Sequence, residues 1–287
     1  MKRILITGAN SYVGTNVEKW LLKEPDKYLV KTLDMKDPNW INLGFSRYDV
    51  VYHVAGIAHV SSKKSMEPLY FKVNRDLAIE TANKAKVSGV KQFIFMSSMI
   101  IYGKDNKIGD FRHVDINKYA PINAYGQSKL ETDLSIQKMQ DENFKVVIIR
   151  TPVVYGPGSK GNFPKLQKLA LKAFLFPNIK NQRSMIYIDN LAELIKQVIY
   201  RDLNGIFYPQ NDEYLSTLAI LETTRLLENK KLRKTRIFNW LIKCKGFFIP
   251  FINKVFGNKT YNLEISNYDF NYRVVKTEQS IRMSRVS

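Results

Sequence analysis

The N-terminal segment constrains the fold more than any other part of the chain. A short apolar run, Lys2–Ile6, is followed by Thr7-Gly8-Ala9-Asn10-Ser11-Tyr12-Val13-Gly14, and Val13–Lys23 then has apolar residues at helical spacing. A glycine turn between a strand and a helix lets backbone N–H groups and the helix N-terminus approach a dinucleotide pyrophosphate. The middle glycine position holds Ser11, which we expect to crowd the phosphates slightly. A purely structural glycine turn is the alternative interpretation.

Segments with strand and helix character alternate over the first half of the chain. Such alternation predicts an α/β fold with a Rossmann-type, doubly wound parallel sheet. The predicted strands after the first are Leu29–Leu33, Asp49–Val54, Gln92–Met96 and Lys145–Arg150, and the predicted helices are Leu69–Val87 and Ala124–Gln140. The regular alternation ends near Pro157, although Met185–Tyr200 adds one more strand–helix unit. We predict a nucleotide-binding domain over 1–157, to which 185–200 returns, and a smaller, mainly substrate-binding C-terminal region over 158–287.

Composition narrows the class of protein. The 287 residues are 45% hydrophobic, include one cysteine, Cys244, and three scattered histidines, His53, His59 and His113. These counts argue against disorder, a disulfide framework and a metal site. The N-terminus lacks a signal-peptide pattern and no apolar run is long enough to span a bilayer, so we expect a cytoplasmic location.

The chain is strongly basic, with a formal charge of +19. Either a polyanionic partner or solvated surface lysines explains this charge, and no nucleic-acid-binding motif is present. From Asn229 to Leu263 there are nine Lys or Arg and no Asp or Glu. The same stretch contains Phe238, Trp240, Leu241, Phe247, Phe248 and Phe251. It is typical either of a peripheral membrane segment or of substrate-domain helices with inward aromatics, and we favour the second interpretation.

Asp34 follows the second predicted strand. A carboxylate at this position can accept hydrogen bonds from both adenosine ribose hydroxyls and repels a 2′-phosphate, which favours NAD over NADP. Lys36 lies close enough to leave NADP open, and an ordinary turn aspartate is the alternative interpretation.

Three polar residues form a candidate catalytic set. Tyr125 and Lys129 are four residues apart and share one helix face. A free tyrosine has a pKa of about 10, and we expect a neighbouring ammonium and a positively charged nicotinamide to lower it. Ser98 ends an apolar strand, at the sheet edge where open α/β folds bind ligands.

Together and in this order, these segments resemble the extended short-chain dehydrogenase/reductase family, in its nucleotide-sugar epimerase/dehydratase/reductase branch. The resemblance runs from Lys2 to about Leu194. Further matching segments are Asp49–Gly56, Val73-Asn74, Arg150–Gly158 and Arg183–Asp189.

The resemblance implies a role for each matching position. Tyr125 would be the general base or acid, Lys129 its activator, and Ser98 the partner of the substrate oxygen. The implied substrate-binding residues are Ser98, Tyr125, Asn162 and Arg183, with Arg183 on the diphosphate. The implied cofactor-binding residues are Gly8, Ser11, Tyr12, Val13, Gly14, Asp34, Ala55, Gly56, Asn74, Lys129 and Pro152. A homodimer formed through the helices around Leu69–Val87 and Ala124–Gln140 is also implied, and no metal is.

The chain departs from the family pattern at three places. The segment between Asp34 and Asp49 is short, so the adenine-contacting region is missing or rebuilt around Pro38–Leu43. Val153 stands where many relatives have asparagine, which predicts altered sugar recognition. Met99-Ile100 follow Ser98 where dehydratases have Asp-Glu, and we therefore predict that the protein is not a dehydratase.

Three functions remain open on the sequence. The first is an NAD-dependent 4-epimerase of a UDP-hexose or UDP-N-acetylhexosamine in surface-polysaccharide biosynthesis, which we favour. The second is an NAD(P)H-dependent reductase of a UDP-4-keto-6-deoxy sugar. The third is a non-catalytic dinucleotide-binding sensor, which the presence of Ser98, Tyr125 and Lys129 disfavours.

Overall fold

The computed structural model describes residues 1–58, 64–237, 239–240, 242 and 250–285, with the side chains of 250 and 251 excepted. Its described residues form two compact units. Unit 1 comprises Met1–Gly103, Ile116–Thr151 and Leu191–Pro209. Unit 2 comprises Lys104–Asp115, Pro152–Asn190 and the described residues from Gln210 onward.

Strands and helices alternate along most of the chain. The strands are β1 (Lys2–Thr7), β2 (Tyr28–Leu33), β3 (Val50–His53), β4 (Gln92–Ser98), β5 (Lys145–Thr151), β6 (Val153–Tyr155), β7 (Leu175–Pro177), β8 (Met185–Tyr187), β9 (Gly205–Phe207) and β10 (Arg233–Thr235). The helices are α1 (Tyr12–Leu21), α2 (Glu67–Tyr70), α3 (Leu77–Val87), α4 (Ala124–Gln137), α5 (Asn162–Lys172), α6 (Ile188–Tyr200), α7 (Thr217–Leu227), α8 (Pro250–Phe256) and α9 (Thr277–Met283).

Unit 1 contains a six-stranded sheet in the order β2-β1-β3-β4-β5-β9. Each neighbouring pair of strands in this sheet is parallel, which confirms the predicted doubly wound, Rossmann-type fold. The sequence explains the central position of β3, because all four of its residues are buried. Side chains of this sheet pack against alanines of α3 and against Ile136 of α4 in one apolar core.

The predicted helix Leu69–Val87 is not uniform. It begins as α2, widens into a π-helical segment over Phe71–Asp76, and continues as α3. A π-helical turn holds one more residue than an α-helical turn, so it changes which side chains face the sheet. Asn74 lies in this segment and is fully buried.

The short connection after Asp34 is built as part of the core. Pro38–Asn42 form a 3-10 helix capped by Asp37, whose carboxylate accepts a hydrogen bond from the Asn39 backbone N–H at 2.9 Å. Trp40 from this helix is only 7% exposed and belongs to the same apolar core as Leu5 and Phe45. The segment expected to be rebuilt around Pro38–Leu43 therefore contains a short 3-10 helix, and Trp40 anchors this helix in the core.

Unit 2 contains two small parallel strand pairs, β6 with β8 and β7 with β10. Its apolar core is formed by side chains from α5, β7, α7 and α8 and the segment after β7. Within the described part of the chain, no helix is both long enough and apolar enough to cross a bilayer.

A buried ion pair joins α4 to the sheet in unit 1. Asp133 of α4 is fully buried and Arg150 of β5 is 1% exposed. The two side chains form a bidentate contact, with Nη2 to Oδ1 at 2.8 Å and Nε to Oδ2 at 3.0 Å. The carboxylate of Asp133 helps to raise the pKa of Arg150 although burial opposes it, so the guanidinium stays charged.

We predict that Asp133→Asn lowers the free energy of unfolding by about 3–5 kcal/mol, because it leaves Arg150 as a buried charge without a counter-ion. The matched control is Asp141→Asn, which breaks the exposed Lys86–Asp141 pair at 2.7 Å and should cost less than about 1 kcal/mol. Urea unfolding followed by tryptophan fluorescence measures both. Equal losses for the two variants would contradict this account of the buried pair.

Candidate active site

The glycine turn after β1 admits no side chain at Gly8. This residue has a φ of +111°, and a Cβ there would lie 2.7 Å from the backbone nitrogen of Ala55. The turn is closed by Gly8 and Ala9, whose N–H groups donate to the Leu33 carbonyl at 2.8 and 3.0 Å. Close approach of the backbones therefore requires glycine here, as expected of a phosphate-binding turn.

Ser11 caps the helix that follows the turn. Its hydroxyl accepts a hydrogen bond from the Gly14 N–H at 3.1 Å, and α1 then begins at Tyr12. A Cβ at Gly14 would lie 2.6 Å from that hydroxyl. The serine in the middle glycine position thus fixes the N-terminus of α1, and Tyr12 and Val13 form the first turn of the helix.

Asn74 holds the loop after β3, where Ala55 and Gly56 lie. Its Oδ1 accepts from the Ile57 N–H at 2.8 Å and its Nδ2 donates to the Ile57 carbonyl at 3.0 Å. A Cβ at Gly56 would lie 2.9 Å from Asn74 Oδ1 and 3.6 Å from Lys129 Nζ. The structure therefore brings Gly56, Asn74 and Lys129 together beside the glycine turn.

Asp34 lies at the end of β2 and is exposed. Its Oδ1 accepts a hydrogen bond from the Lys36 N–H at 3.0 Å. This local turn orients the carboxylate at the carboxyl edge of the sheet, which is the position that recognises an adenosine ribose.

Ser98 and Tyr125 are in direct contact. Ser98 is the last residue of β4, and its hydroxyl accepts from the Ile100 N–H at 3.3 Å. Asn123 caps α4 by accepting from the Gly126 N–H at 2.8 Å, which places Tyr125 in the first turn of that helix. A side-chain hydrogen bond joins Tyr125 to Ser98.

The pKa of Tyr125 differs from the sequence-based expectation of a lowered value. Burial raises it, and the hydrogen bond from Ser98 opposes that rise only in part. Lys129 does not lower it, because the Lys129 ammonium donates instead to the Met96 carbonyl at 2.8 Å. The expected lowering by the neighbouring ammonium is therefore wrong, because among the chain's own groups desolvation dominates.

Lys129 is a buried amine, only 7% exposed. Burial lowers its pKa to about 8, and the carboxylate of Asp133 one helical turn away opposes that shift. Its Nζ also lies 4.7 Å from the centre of the Phe95 ring. The ammonium is therefore present near neutral pH but is easily deprotonated above it.

His53 was not predicted as a site residue from the sequence. It is fully buried beside Lys129, and Thr7 Oγ1 lies 2.8 Å from its Nδ1. Burial, followed by the charge of Lys129, lowers its pKa to about 3. The ring is therefore neutral at physiological pH and adds no second positive charge next to Lys129. Periodicity marked it only as a strand residue, so no local pattern identifies it.

Three of the predicted residues belong to unit 2. Arg183 Nη2 donates to Asp105 Oδ2 at 2.9 Å and to the carbonyls of Asn253 and Lys254 at 3.0 and 2.9 Å. Asn162 is the exposed first residue of α5, and Pro152 is buried before β6. The sequence did not predict that Arg183 has an acidic partner within its own unit.

Lys259 lies next to Arg183 and was not predicted as a site residue from the sequence either. It is 8% exposed, and burial lowers its pKa while Asp105 opposes that shift. Unit 2 therefore gathers two basic side chains around one carboxylate. Such a cluster has the charge needed to bind a diphosphate.

Comparison with known proteins defines the class. The family model described as the NAD dependent epimerase/dehydratase family matches residues 4–207, so the chain belongs to this family. Its cofactor is therefore NAD, and the cradle formed by Gly8, Gly14 and Asp34 fits a dinucleotide.

Two curated relatives illustrate the range of the family. The chain is 33% identical over 270 residues to a UDP-glucose 4-epimerase of Vibrio cholerae, covering 85% of this chain and 81% of that protein. It is 24% identical over 276 residues to an N-acetyl-alpha-D-glucosaminyl-diphospho-ditrans,octacis-undecaprenol 4-epimerase of Escherichia coli O157:H7, covering 89% and 81%. The relatives also include 4,6-dehydratases.

Solved structures agree on the fold. The Thermus thermophilus UDP-glucose 4-epimerase in complex with NAD matches with a TM-score of 0.74 at 18% identity, covering 98% of this chain and 97% of that one. A dTDP-4-dehydrorhamnose reductase in complex with NADP is also similar in fold.

We predict that Gly8→Ala abolishes measurable NAD binding and lowers the melting temperature, because the new Cβ meets the Ala55 backbone in a left-handed conformation. Gly44→Ala is the matched control, since a Cβ at Gly44 meets no atom within 4 Å. Titration calorimetry with NAD and a thermal melt measure the two effects. Wild-type NAD affinity in Gly8→Ala would show that the turn does not hold the cofactor.

We also predict that Lys129→Met stabilises the fold while removing activity. With a folded-state pKa of about 8 against an ordinary 10.5, protonated Lys129 costs about 3 kcal/mol. This penalty is fully present below pH 8 and disappears as the pH rises to 10.5. Loss of the bond to Met96 offsets part of it, so we expect a net gain of about 1–3 kcal/mol at pH 7.

The matched control for Lys129→Met is Lys91→Met, at an exposed lysine. Denaturant unfolding at several pH values between neutral and alkaline measures the difference between each variant and wild type. A Lys129→Met variant less stable than wild type at neutral pH would contradict a buried, destabilising ammonium.

Proposed function

We propose that this protein is an NAD-dependent 4-epimerase of a UDP-hexose or a UDP-N-acetylhexosamine, acting in surface-polysaccharide biosynthesis. The hydrogen bond between Ser98 and Tyr125, one helical turn before the buried Lys129, carries the proposal. This set of a hydroxyl, a phenol and an ammonium suits a proton transfer at a sugar hydroxyl. The 33% identity to a UDP-glucose 4-epimerase supports the reaction and the nucleotide.

The residues that we assign to NAD are Gly8, Ser11, Tyr12, Val13, Gly14, Asp34, Ala55, Gly56, Asn74, Lys129 and Pro152. When bound, NAD supplies a reversible hydride acceptor for the sugar C4. Asp34 binds the adenosine ribose, and the turn at Gly8 together with the N-terminus of α1 binds the pyrophosphate.

The chain moves one proton in each direction. Tyr125 Oη accepts the proton of the C4 hydroxyl as the carbonyl forms, and Ser98 Oγ donates a hydrogen bond to that oxygen. After the 4-keto sugar has rotated to present its opposite face, Tyr125 returns the proton to the same oxygen. For Lys129 to favour phenolate during this exchange, its ammonium must turn from the Met96 carbonyl toward the phenol.

The residues that we assign to the substrate are Ser98, Tyr125, Asn162 and Arg183. Arg183 is the candidate for the diphosphate, since a guanidinium binds phosphate oxygens in a bidentate manner. Asn162 is a candidate for a second contact at the start of α5. Val153 is 44% exposed on β6 and replaces the polar contact that many relatives make to the sugar.

We propose further that the protein is not a dehydratase, although some relatives are named as dehydratases. Elimination of water needs an acid beside the sugar C5 and C6, and Met99 follows Ser98 here. Met99 is 6% exposed and begins a 3-10 helix, so an apolar side chain fills this position. Incubation with UDP-glucose should yield no 4-keto-6-deoxy product.

We propose a cytoplasmic homodimer as the working form. A single cysteine suits a reducing compartment, and the family resemblance supports a dimer contact through the helices over 69–87 and 124–140. Sedimentation velocity at micromolar concentration tests the dimer, and a monomer throughout would refute it.

The decisive experiment uses purified protein with a panel of UDP-hexoses and UDP-N-acetylhexosamines and only catalytic NAD. Proton NMR should show the C4 epimer of one substrate without net reduction of NAD. If no epimer forms, a UDP-4-keto-6-deoxy sugar with stoichiometric NADH or NADPH is tried next. Consumption of reduced cofactor there would establish the reductase instead of the epimerase.

We predict that Tyr125→Phe lowers kcat by about 10²–10⁴-fold and Ser98→Ala by about 10–10²-fold, with little change in KM, since both act in the transition state. Tyr200→Phe, at a tyrosine that is 61% exposed, is the matched control and should keep wild-type activity. Near-normal turnover by Tyr125→Phe would remove Tyr125 from the reaction.

A further inference from the structure

Unit 2 exposes a group of large apolar side chains next to basic ones. Phe174 is 60% exposed, Leu175 43%, Ile237 75% and Trp240 69%. Lys180, Arg233 and Arg236 are exposed in the same segments. We call these seven residues the Trp240 face.

Strand pairing and side-chain contacts hold the Trp240 face together. β7 and β10 pair in parallel with Arg233 opposite Leu175, and the Arg233 guanidinium lies 5.9 Å from the centre of the Phe174 ring. Beyond β10, Asn239 Nδ2 donates to the Asn178 carbonyl at 2.9 Å. The segment that carries Ile237 and Trp240 is therefore tied to the segment that carries Phe174 and Lys180.

The apolar side chains point outward because their neighbours occupy the interior. Phe176 and Ile179 lie in the apolar core of unit 2, and Leu232 and Ile242 pack against that core. These four residues anchor both segments, so Phe174, Ile237 and Trp240 remain outside. The sequence-based preference for inward aromatics is thus wrong for Trp240. Phe238, Leu241, Phe247 and Phe248 lie outside the described residues, as does the side chain of Phe251.

The Trp240 face also carries an excess of positive charge. A groove of about 300 Å³ in unit 2 is lined by Phe111, Ile179, Lys180, Arg236 and Asn239, among others. Two acids of unit 2 are already paired with other cations, Asp110 with Arg112 at 2.7 Å and Glu222 with Lys234 at 2.7 Å. Within the described part of the chain, no carboxylate pairs with Lys180 or Arg236. The stretch 229–263 contains nine basic and no acidic residues.

We propose that the Trp240 face docks on an anionic lipid bilayer. Lys180 and Arg236 bind lipid phosphates at the groove, while Ile237 and Trp240 enter the boundary between headgroups and acyl chains. Exposed aromatics interleaved with cations are what an interfacial anchor requires, because apolar burial and attraction to anionic lipid act together. A neutral partner would not account for the excess of unpaired cations. This docking does not depend on the sugar substrate or on the proposed reaction.

The test measures co-sedimentation of the full chain with sucrose-loaded vesicles of phosphatidylcholine, with and without phosphatidylglycerol. Wild type should sediment only with the phosphatidylglycerol vesicles, and high salt should weaken this binding. Lys180→Gln with Arg236→Gln should weaken binding by about fivefold for each cation removed. Ile237→Ser with Trp240→Ser should weaken it by about tenfold. Arg236→Lys should retain it.

The matched controls lie in unit 1. Lys31→Gln with Lys91→Gln removes the same charge at exposed lysines, and Val87→Ser removes an apolar side chain that is 89% exposed. Both controls should bind vesicles as wild type does. A thermal melt and NAD titration of every variant confirm that the fold is intact.

Tryptophan fluorescence gives a second, independent readout. The chain has three tryptophans, and among them Trp40 is 7% exposed while Trp240 is 69% exposed. Anionic vesicles should shift the emission to shorter wavelength in wild type but not in Trp240→Phe, which still sediments with the vesicles.

Three results would overturn the proposal. The first is a wild-type protein that does not sediment with phosphatidylglycerol vesicles at low salt. The second is an equal loss of binding in the unit 1 controls. The third is a change in oligomeric state, seen by sedimentation velocity, in Ile237→Ser with Trp240→Ser, which would make the face an interface between copies of the chain. The assay contains no sugar nucleotide, so its failure would leave the proposed epimerase activity unaffected.

Discussion

The ion pair between Asp133 and Arg150 sets the geometry on which the site depends. Tyr125, Lys129 and Asp133 recur every four residues along α4, so they share the face that meets the sheet. Asp133 Oδ2 also accepts a hydrogen bond from Ser97 Oγ at 2.6 Å, directly before Ser98 on β4. One carboxylate therefore fixes the helix that carries the phenol and the amine relative to the strand that carries the serine. Three tyrosine hydroxyls complete the shell around the guanidinium, those of Tyr102, Tyr119 and Tyr208.

Much of the fold was predictable because it follows from local patterns. A few neighbouring residues in the sequence are enough to predict the strands β1, β3 and β5 from their apolar runs, and the turn after β1 from its glycine. The spacing of Tyr125 and Lys129 could likewise be recognised from the sequence. The contacts of the site residues could not be predicted, because the bond from Lys129 to Met96 and the contact of Arg183 with Asp105 join positions far apart in sequence. The π-helical segment around Asn74 has no simple sequence signal either.

The expected pKa of Tyr125 failed for a physical reason that applies to the whole site. Spacing shows that a charge is near, but only packing shows how much water has been removed. Desolvation raises the pKa of Tyr125 and lowers that of Lys129, so both groups are held closer to their neutral forms. These shifts move the two pKa values apart, so Tyr125 holds its proton more tightly than Lys129 does. The same burial makes the site a local source of instability.

The most direct test of the proposed epimerase follows the hydrogen at C4 through one turnover. UDP-glucose and UDP-N-acetylglucosamine carrying deuterium at C4 are incubated in ordinary water with catalytic NAD, and the epimer is analysed by mass spectrometry and NMR. The account predicts that one of them yields an epimer that keeps its deuterium at C4, because the hydride leaves and returns within one site while Tyr125 exchanges only the hydroxyl proton. An epimer with solvent hydrogen at C4, or no epimer from either sugar, would contradict it.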